Sequence, residues 1–324
     1  MTPAVTVVIP THNRARYVRD AIESVLGQTC RDFELIVVDD GSKDETARVV
    51  QAFGPRVRYV YQEERERAAA RNQGIARAAG RYVAFLDSDD LWLPDHLEAG
   101  LEAFARAPEA GLVFSRWYLV DQSARILSKN KTPALTGDVL ERLVAGFSAG
   151  ACNASSCLVR KDVIDQAGRF NEDRALSGSE DWELWARVAG VARFATTGRY
   201  TVKIRFHDGK WSLNAERMSG SMQLALDTLF AHPTLGPRIK PLKRRAYSSL
   251  QTIIATQWYG AGDMGQARRH LRDAVVLDPP SLVRNPLISY TFLRSLLGAR
   301  WSDSLRKAKL ELQAAVSSAR AGKP

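Results

Sequence analysis

Cysteine is scarce: three residues in a chain of 324, at Cys30, Cys152 and Cys157. An odd number at irregular spacing supplies neither a disulfide framework nor a zinc site, so reduced thiols in a cytosolic setting are expected. Long apolar runs are also missing. Spanning a bilayer takes about 20 apolar residues, and the best stretch, Pro286 to Leu297, is short and interrupted by Arg294. Met1 to Pro10 has no charged segment leading into an apolar one and reads as a strand, not a secretory leader. The expectation is a cytoplasmic protein, peripheral on the cytoplasmic membrane face if it works at a membrane. There is no G-x-G-x-x-G and no P-loop, which excludes the common glycine-rich phosphate cradles. No Ser-His-Asp order suggests a hydrolase triad.

What is present is an ordinary globular composition, 45% hydrophobic and 25% charged. The net charge of +10 is unevenly spread. Gly236 to Pro324 holds 16 Lys+Arg against 5 Asp+Glu, and the chain before it holds 30 against 31. The tail is basic and the body nearly neutral. Such a tail suits anionic lipid, nucleic acid or an acidic partner, or simply a solvated helical surface. No basic motif interleaved with aromatics points to nucleic acid.

Val5 to Ile9 is a β-branched run ended by Pro10, the pattern of a buried strand. Val18, Ala21, Ile22 and Val25 recur at helical spacing. Phe33 to Val38, Val57 to Tyr61 and Tyr82 to Leu86 read as further strands, with helices near Ala47 to Phe53 and Ala68 to Ala79. Nearly all-apolar strands alternating with helices predict an α/β fold: a mostly parallel central sheet flanked by helices. After Pro94 the pattern loosens. Strands are expected at Leu112 to Phe114, Ser155 to Val159 and Tyr200 to Phe206. Helices are expected at Gly137 to Ala145, Lys161 to Ala167 and Glu180 to Ala189, and from Ser219 onward.

Ligands of parallel sheets bind at the carboxyl ends of strands. Thr11-His12-Asn13, Asp39-Asp40 and Asp87-Ser88-Asp89-Asp90 stand at three such ends. Crowded carboxylates repel unless a cation or hydrogen-bond donors offset them. The last group therefore reads as an oxygen site for Mg²⁺ or Mn²⁺, or as a turn and helix cap. Asp40 could accept hydrogen bonds from a base or ribose, while Ser42 or Asp44 could cap the next helix. Asp181 reads as a general base or as a carboxylate favoured at a helix start. Strand alternation sets Lys203, Arg205 and His207 on one face, suited to a diphosphate, with His207 able to ligate metal.

Together these residues resemble a family. VTVVIPTHNRARYVRDAIESVLGQTCRDFELIVVDDGSKDET, AAARNQGIARAAGRYVAFLDSDDLW and ASSCLVRKDVIDQAGRFNEDRALSGSEDWELWARVA look like the ordered motifs of the inverting family 2 glycosyltransferases, over Val5 to Ser212. The resemblance implies a GT-A-type fold. It also implies transfer of a sugar from a nucleotide-diphosphate sugar, UDP-sugar foremost, to a glycan or lipid-linked acceptor in cell-surface polysaccharide or glycolipid assembly. By the same resemblance Thr11, Asn13, Asp40 with Asp39 in support, Arg71, Asp87, Ser88 and Arg205 belong to the nucleotide site. Asp87, Asp89 and His207 belong to the divalent cation, Mn²⁺ or Mg²⁺, and Asp181 is the base. A catalytically silent nucleotide-sugar-binding protein on the same scaffold is the alternative. The expected division is a catalytic domain at 1–215 and a basic helical extension at 216–324. Within the extension, Trp258-Tyr259-x-Ala261-Gly262-Asp263 through Leu277-Asp278-Pro279 is similar to one tetratricopeptide hairpin, at about 250–280. One such unit cannot bury its own face. Docking of this basic tail at an anionic membrane surface is expected.

Overall fold

The run Val5–Thr11 forms strand β1, buried at every position. It has a strand on either side and cover on both faces, so no position needs to be polar. β2 (Phe33–Asp40), β3 (Arg58–Gln62) and β4 (Tyr82–Phe85) join it in parallel, in the order β3-β2-β1-β4. Helices α1 (Ala15–Leu26), α2 (Thr46–Gln51) and α3 (Glu66–Arg77) make the crossovers. α1 turns Val18, Ala21, Ile22 and Val25 inward at helical spacing. α3 lies close against β1: a Cβ on Gly74 would strike the Val8 side chain. This computed structural model describes residues 2–131, 135–146, 152–206 and 214–281.

Past β4 the chain adds β5 (Leu91–Trp92), α4 (His96–Arg106), β6 (Ala110–Val120), β7 (Ile126–Lys129) and α5 (Leu140–Ala145). β8 (Cys157–Arg160), α6 (Lys161–Ala167), α7 (Glu180–Ala189) and β9 (Arg193–Arg205) follow. The sheet order is β3-β2-β1-β4-β8-β6-β9-β5, with β7 on β6. β8 runs antiparallel to β4 and β6, β9 parallel to β6, and β5 antiparallel to β9. The mostly parallel sheet expected from the sequence is thus mixed. A parallel β8 would need a full crossover from one end of the sheet to the other; here β8 instead reverses. Two reversals restore the direction, so β1, β2, β4, β6 and β9 end on one rim.

The core between the sheet and helices α1 and α4 holds Val7, Ile9, Ile22, Leu97, Phe104, Val113, Leu158 and Val202. On the other side Phe85 meets Phe170 edge-on at 5.2 Å and Trp185 of α7 at 6.3 Å. Helices α8 (Ala215–Ala231) and α9 (Leu235–Ile239) continue this first compact unit to Leu242. It runs past residue 215 because α8 buries Met218, Met222, Ala225, Leu226 and Leu229 and packs against α7. The second unit begins at Lys243. In it α10 (Lys243–Gly260) and α11 (Met264–Leu277) form a hairpin over the stretch that resembles a tetratricopeptide repeat. Gly262 turns with φ +85°, and Asp263 caps α11 by accepting from the Gln266 N–H. No helix among the described residues is long and apolar enough to cross a membrane.

Candidate active site

The carboxyl ends of β1 and β2 are tied together by their own polar groups. Asn13, at φ +49°, accepts from the Lys43 N–H and donates its main-chain N–H to Ser42 Oγ. Asp44 accepts from the N–H groups of Ala15 and Thr46, and Thr46 Oγ1 accepts from the Arg14 N–H. Ser42 therefore braces the β1 loop and does not cap α2; Asp44 serves the start of that helix. Gly41, at φ +78°, has the Glu64 N–H 2.9 Å from where a Cβ would stand, so only glycine fits.

The two acids of this loop are used differently. Asp39 is fully buried and both its oxygens are engaged, one by the Ser42 N–H and one by the Tyr59 hydroxyl. Burial and this carboxylate together raise the Tyr59 pKa, so the phenol stays a donor. Asp40 spends only Oδ1, which accepts from Gln62 Nε2 at 2.6 Å and the Arg65 N–H at 2.8 Å. Its Oδ2 carries no hydrogen bond among the described residues and is left for a ligand. Thr11 Oγ1 and Gln62 Oε1 are buried beside this loop without partners among the described residues. Orphaned buried polar atoms are rare, and two at the carboxyl ends of β1 and β3 fit a site built for a polar ligand.

The second cluster follows β4. Asp87, Asp89 and Asp90 bring carboxylate oxygens within 4.8 Å of one another. Asp90 is a scaffold: Oδ2 accepts from Ser155 Oγ at 2.7 Å and Oδ1 from the Arg205 N–H at 3.0 Å. Ser155 Oγ in turn accepts from the Asp87 N–H. Asp87 Oδ1 accepts from Arg71 Nη2 at 2.6 Å, so Asp87 Oδ2 stands with the Asp89 carboxylate as the metal-ligand candidates of this set. Ser88 is buried between them. An all-oxygen donor set with one carboxylate anchored by protein fits Mg²⁺ or Mn²⁺.

Arg71 connects this cluster to α7. It is 1% exposed, and its other arm donates to Glu180 Oε1 at 2.7 Å. Its guanidinium also lies over the Phe170 ring, 5.2 Å from the centroid. Burial opposes the Arg71 charge, but Asp87 and Glu180 more than restore it. Burial likewise would raise the Glu180 pKa; the charges of Arg67 and Arg71 outweigh that and hold it below the usual range. Glu180 Oε2 is closed off by the Gly178 N–H at 2.6 Å.

Asp181, next along α7, has no ion-pair partner among the described residues. Its Oδ2 accepts from the Ala154 N–H at 3.2 Å, and its Oδ1 from the Trp182 N–H at 2.7 Å. Burial first, then the negative charge of Glu180, pushes its pKa up to about 7, with Arg71 pulling the other way. A carboxyl that exchanges its proton near neutrality is suited to act as a base.

Thr11, Asp39 and Asp40 thus end β1 and β2, Asn13, Asp87, Ser88 and Asp89 stand on the loops after β1 and β4, and Asp181 is in the first turn of α7, while Arg71 reaches the rim from within α3. Arg71 is engaged with two carboxylates. Arg205 turns its guanidinium to Asp20 at 3.1 Å, to the Gln122 carbonyl and over the Tyr17 ring, while its N–H holds Asp90. His207 lies outside the described residues. Sequence reasoning missed Glu180 as the partner of Arg71, Gln62 as the partner of Asp40, and Ser155 as the link between Asp87 and Asp90. The one signal was the pairing of Glu180 with Asp181 at a helix start.

The sequence profile of the family described as Glycosyl transferase family 2 matches residues 6–168, half of the chain. An uncharacterized glycosyltransferase of Rickettsia bellii is 30% identical over 214 residues, 65% of this chain and 31% of its own length. The chain thus spans about a third of the length of that relative. The putative teichuronic acid biosynthesis glycosyltransferase TuaG of Bacillus subtilis is 42% identical over 131 residues, 39% of this chain and 52% of its own. Among solved structures, S. aureus TarS 1-349 in complex with UDP-GlcNAc superposes with a TM-score of 0.64 at 16% identity, covering 90% of this chain and 88% of that one. The mannosyltransferase PcManGT from Pyrobaculum calidifontis, in complex with GDP-Man and Mn²⁺, gives 0.59 at 21% identity, covering 92% and 86%. At these identities the structural likeness bears on the GT-A-type fold alone.

Proposed function

The chain belongs to glycosyl transferase family 2, and on that premise we propose that it moves a sugar from a nucleoside-diphosphate sugar, UDP-sugar foremost, to an acceptor hydroxyl with inversion. The observation that carries this reading is Asp181, a carboxyl with a pKa near 7 standing beside the Asp87–Arg71–Glu180 bridge. Asp40 Oδ2 accepts from the base or ribose of the donor. Asp181 takes the proton of the acceptor hydroxyl. The acceptor oxygen then attacks the anomeric carbon from the side opposite the diphosphate, and the bond from that carbon to the diphosphate oxygen breaks. A divalent cation, held by Asp87 and Asp89, would neutralise charge on the departing diphosphate. Ala154 and Trp182 hold Asp181 in place through their N–H groups, and Arg71 fixes Asp87 relative to it.

A thermal-shift screen of UDP-, GDP- and dTDP-sugars with Mn²⁺ tests the donor half. A donor present at about 100 times its Kd should raise Tm by about 5–10 °C, and less after chelation. No shift with any nucleotide sugar would remove this reading.

We also propose that the acceptor is a glycan or lipid-linked saccharide, met by a protein peripheral on the cytoplasmic membrane face. The support is the 16 basic residues from Gly236 onward. The full chain should co-sediment with phosphatidylglycerol vesicles at low salt and come off at high salt. Equal recovery with neutral phosphatidylcholine vesicles would rule this out.

A further inference from the structure

The outer half of the sheet carries a cluster of cations that no carboxylate among the described residues answers. Tyr118 of β6 and Tyr200 of β9 lie with ring centroids 5.0 Å apart. Arg116 sits over the Tyr200 ring at 5.6 Å. Lys129 of β7 lies 5.7 Å from Tyr118 and 5.6 Å from Tyr200. Lys203 is the register partner of Tyr118 on β9, as Lys129 is on β7, so all of these share one face. None of the three cations makes an ion pair among the described residues.

This face has a definite place in the molecule. Trp117, Leu119, Val202 and Ile204 alternate with these residues and point into the core shared with α1 and α4. The cluster therefore faces the opposite side, where Phe85 receives Trp185 of α7, the helix that begins with Glu180 and Asp181. It occupies the rim half of both strands. Lys203 is two residues from Arg205, whose N–H holds Asp90. The turn Ala154–Ser156, which supports Asp181, packs on β6 and β9.

Cation–π contacts are worth about 0.5–1 kcal/mol each at exposed sites and neutralise no charge. Three like charges on one face repel, and no acid side chain among the described residues pairs with them. We propose that this face is a binding site for an acidic saccharide, the segment of the acceptor next to the one being extended. Sugar carboxylates would pair with Arg116, Lys129 and Lys203, and the two tyrosines offer rigid amphipathic rings for the sugar faces. This rests on the transferase reading above.

The test measures binding of end-labelled tetragalacturonate and of cellotetraose, its uncharged counterpart, to the full chain and to the Arg116→Gln/Lys129→Gln double variant. Hydrolysis of UDP-GlcNAc and GDP-Man is followed in parallel, and Tm checks that the variant is folded. Tetragalacturonate should bind at least about tenfold more tightly than cellotetraose. The double variant should lose at least about tenfold for the acidic saccharide alone, as should raising salt to about 0.3 M. Lys129→Glu should weaken binding further, and donor hydrolysis should stay at the wild-type rate in every variant. Failure of tetragalacturonate to bind, equal affinity for the two saccharides, or unchanged binding by the double variant would each overturn the proposal. So would loss of phosphatidylglycerol-vesicle binding in the variant with no competition by tetragalacturonate, which would assign the face to a membrane. Absence of donor hydrolysis in the wild type, with saccharide binding intact, would strike the transferase reading instead.

Discussion

Asp181→Asn is expected to lose between about a hundredfold and ten-thousandfold of transferase turnover and yet be the more stable protein above pH 7. Both halves come from one cause. Burial and Glu180 hold the Asp181 pKa at about 7. As a base it works unprotonated, so wild-type kcat/KM should fall about tenfold per pH unit below 7 and level off above it. Stability runs the other way. A raised carboxyl pKa means the folded state keeps a proton that the unfolded chain has already released. That contribution is present below the ordinary carboxylate value and is lost as pH rises to about 7. Asparagine carries no charge, so the variant escapes the loss, which accumulates at about 1.4 kcal/mol per pH unit. Against this stands one hydrogen bond to Ala154 or Trp182, about 1 kcal/mol. The net sign is therefore a gain at pH 8 that vanishes toward pH 4. Urea unfolding of both proteins in chelator at the two pH values measures it, and donor binding should survive. Full turnover in the variant would end the assignment of Asp181 as base; lower stability at pH 8 would end the account of its pKa.

The parts that were legible in the sequence and the parts that were not differ in physical kind. β1, β2 and β4 and helices α1 and α3 are readable because burial on both faces demands continuous apolar runs, and an amphipathic helix demands its own period. β5 is two residues long and cannot show a period. β7 is exposed at all four positions, so no burial pattern marks it. β9 begins seven residues before the expected Tyr200 because Gly198, at φ +71°, interrupts the run while the pairing with β6 continues across irregular register. The acids at the strand ends could be seen because topology puts every parallel carboxyl end on one rim. What could not be seen is which acid serves the ligand and which serves the scaffold. Asp39 and Asp40 are adjacent and chemically alike; Tyr59 and Gln62, contributed by another strand, tell them apart. Asp90 reads as one more metal ligand until Ser155 and Arg205 are found occupying it.

The Arg71 bridge is the least legible feature, joining residues 109 positions apart, and its removal has the largest expected effect on stability. Arg71→Met leaves buried Glu180 with Arg67 alone, 3.8 Å away and partly exposed, and takes from Asp87 its arginine. Stranding a buried charge costs about 3–5 kcal/mol, or about 10 °C in Tm for a unit of this size. Arg71→Lys should recover only part of this, since one ammonium cannot offer two fixed arms to two carboxylates. Adding Glu180→Gln to Arg71→Met removes the stranded charge and should restore most of the Tm but not the activity, because Asp87 is still unanchored. A purely structural role for the bridge would let activity return with the Tm. The base supplies the sharper readout. Arg71 pulls the Asp181 pKa down and Glu180 pushes it up. The acid limb of kcat/KM should therefore move to higher pH in Arg71→Met and to lower pH in Glu180→Gln. Shifts in the same direction, or none in either variant, would show that the bridge does not set the charge state of Asp181.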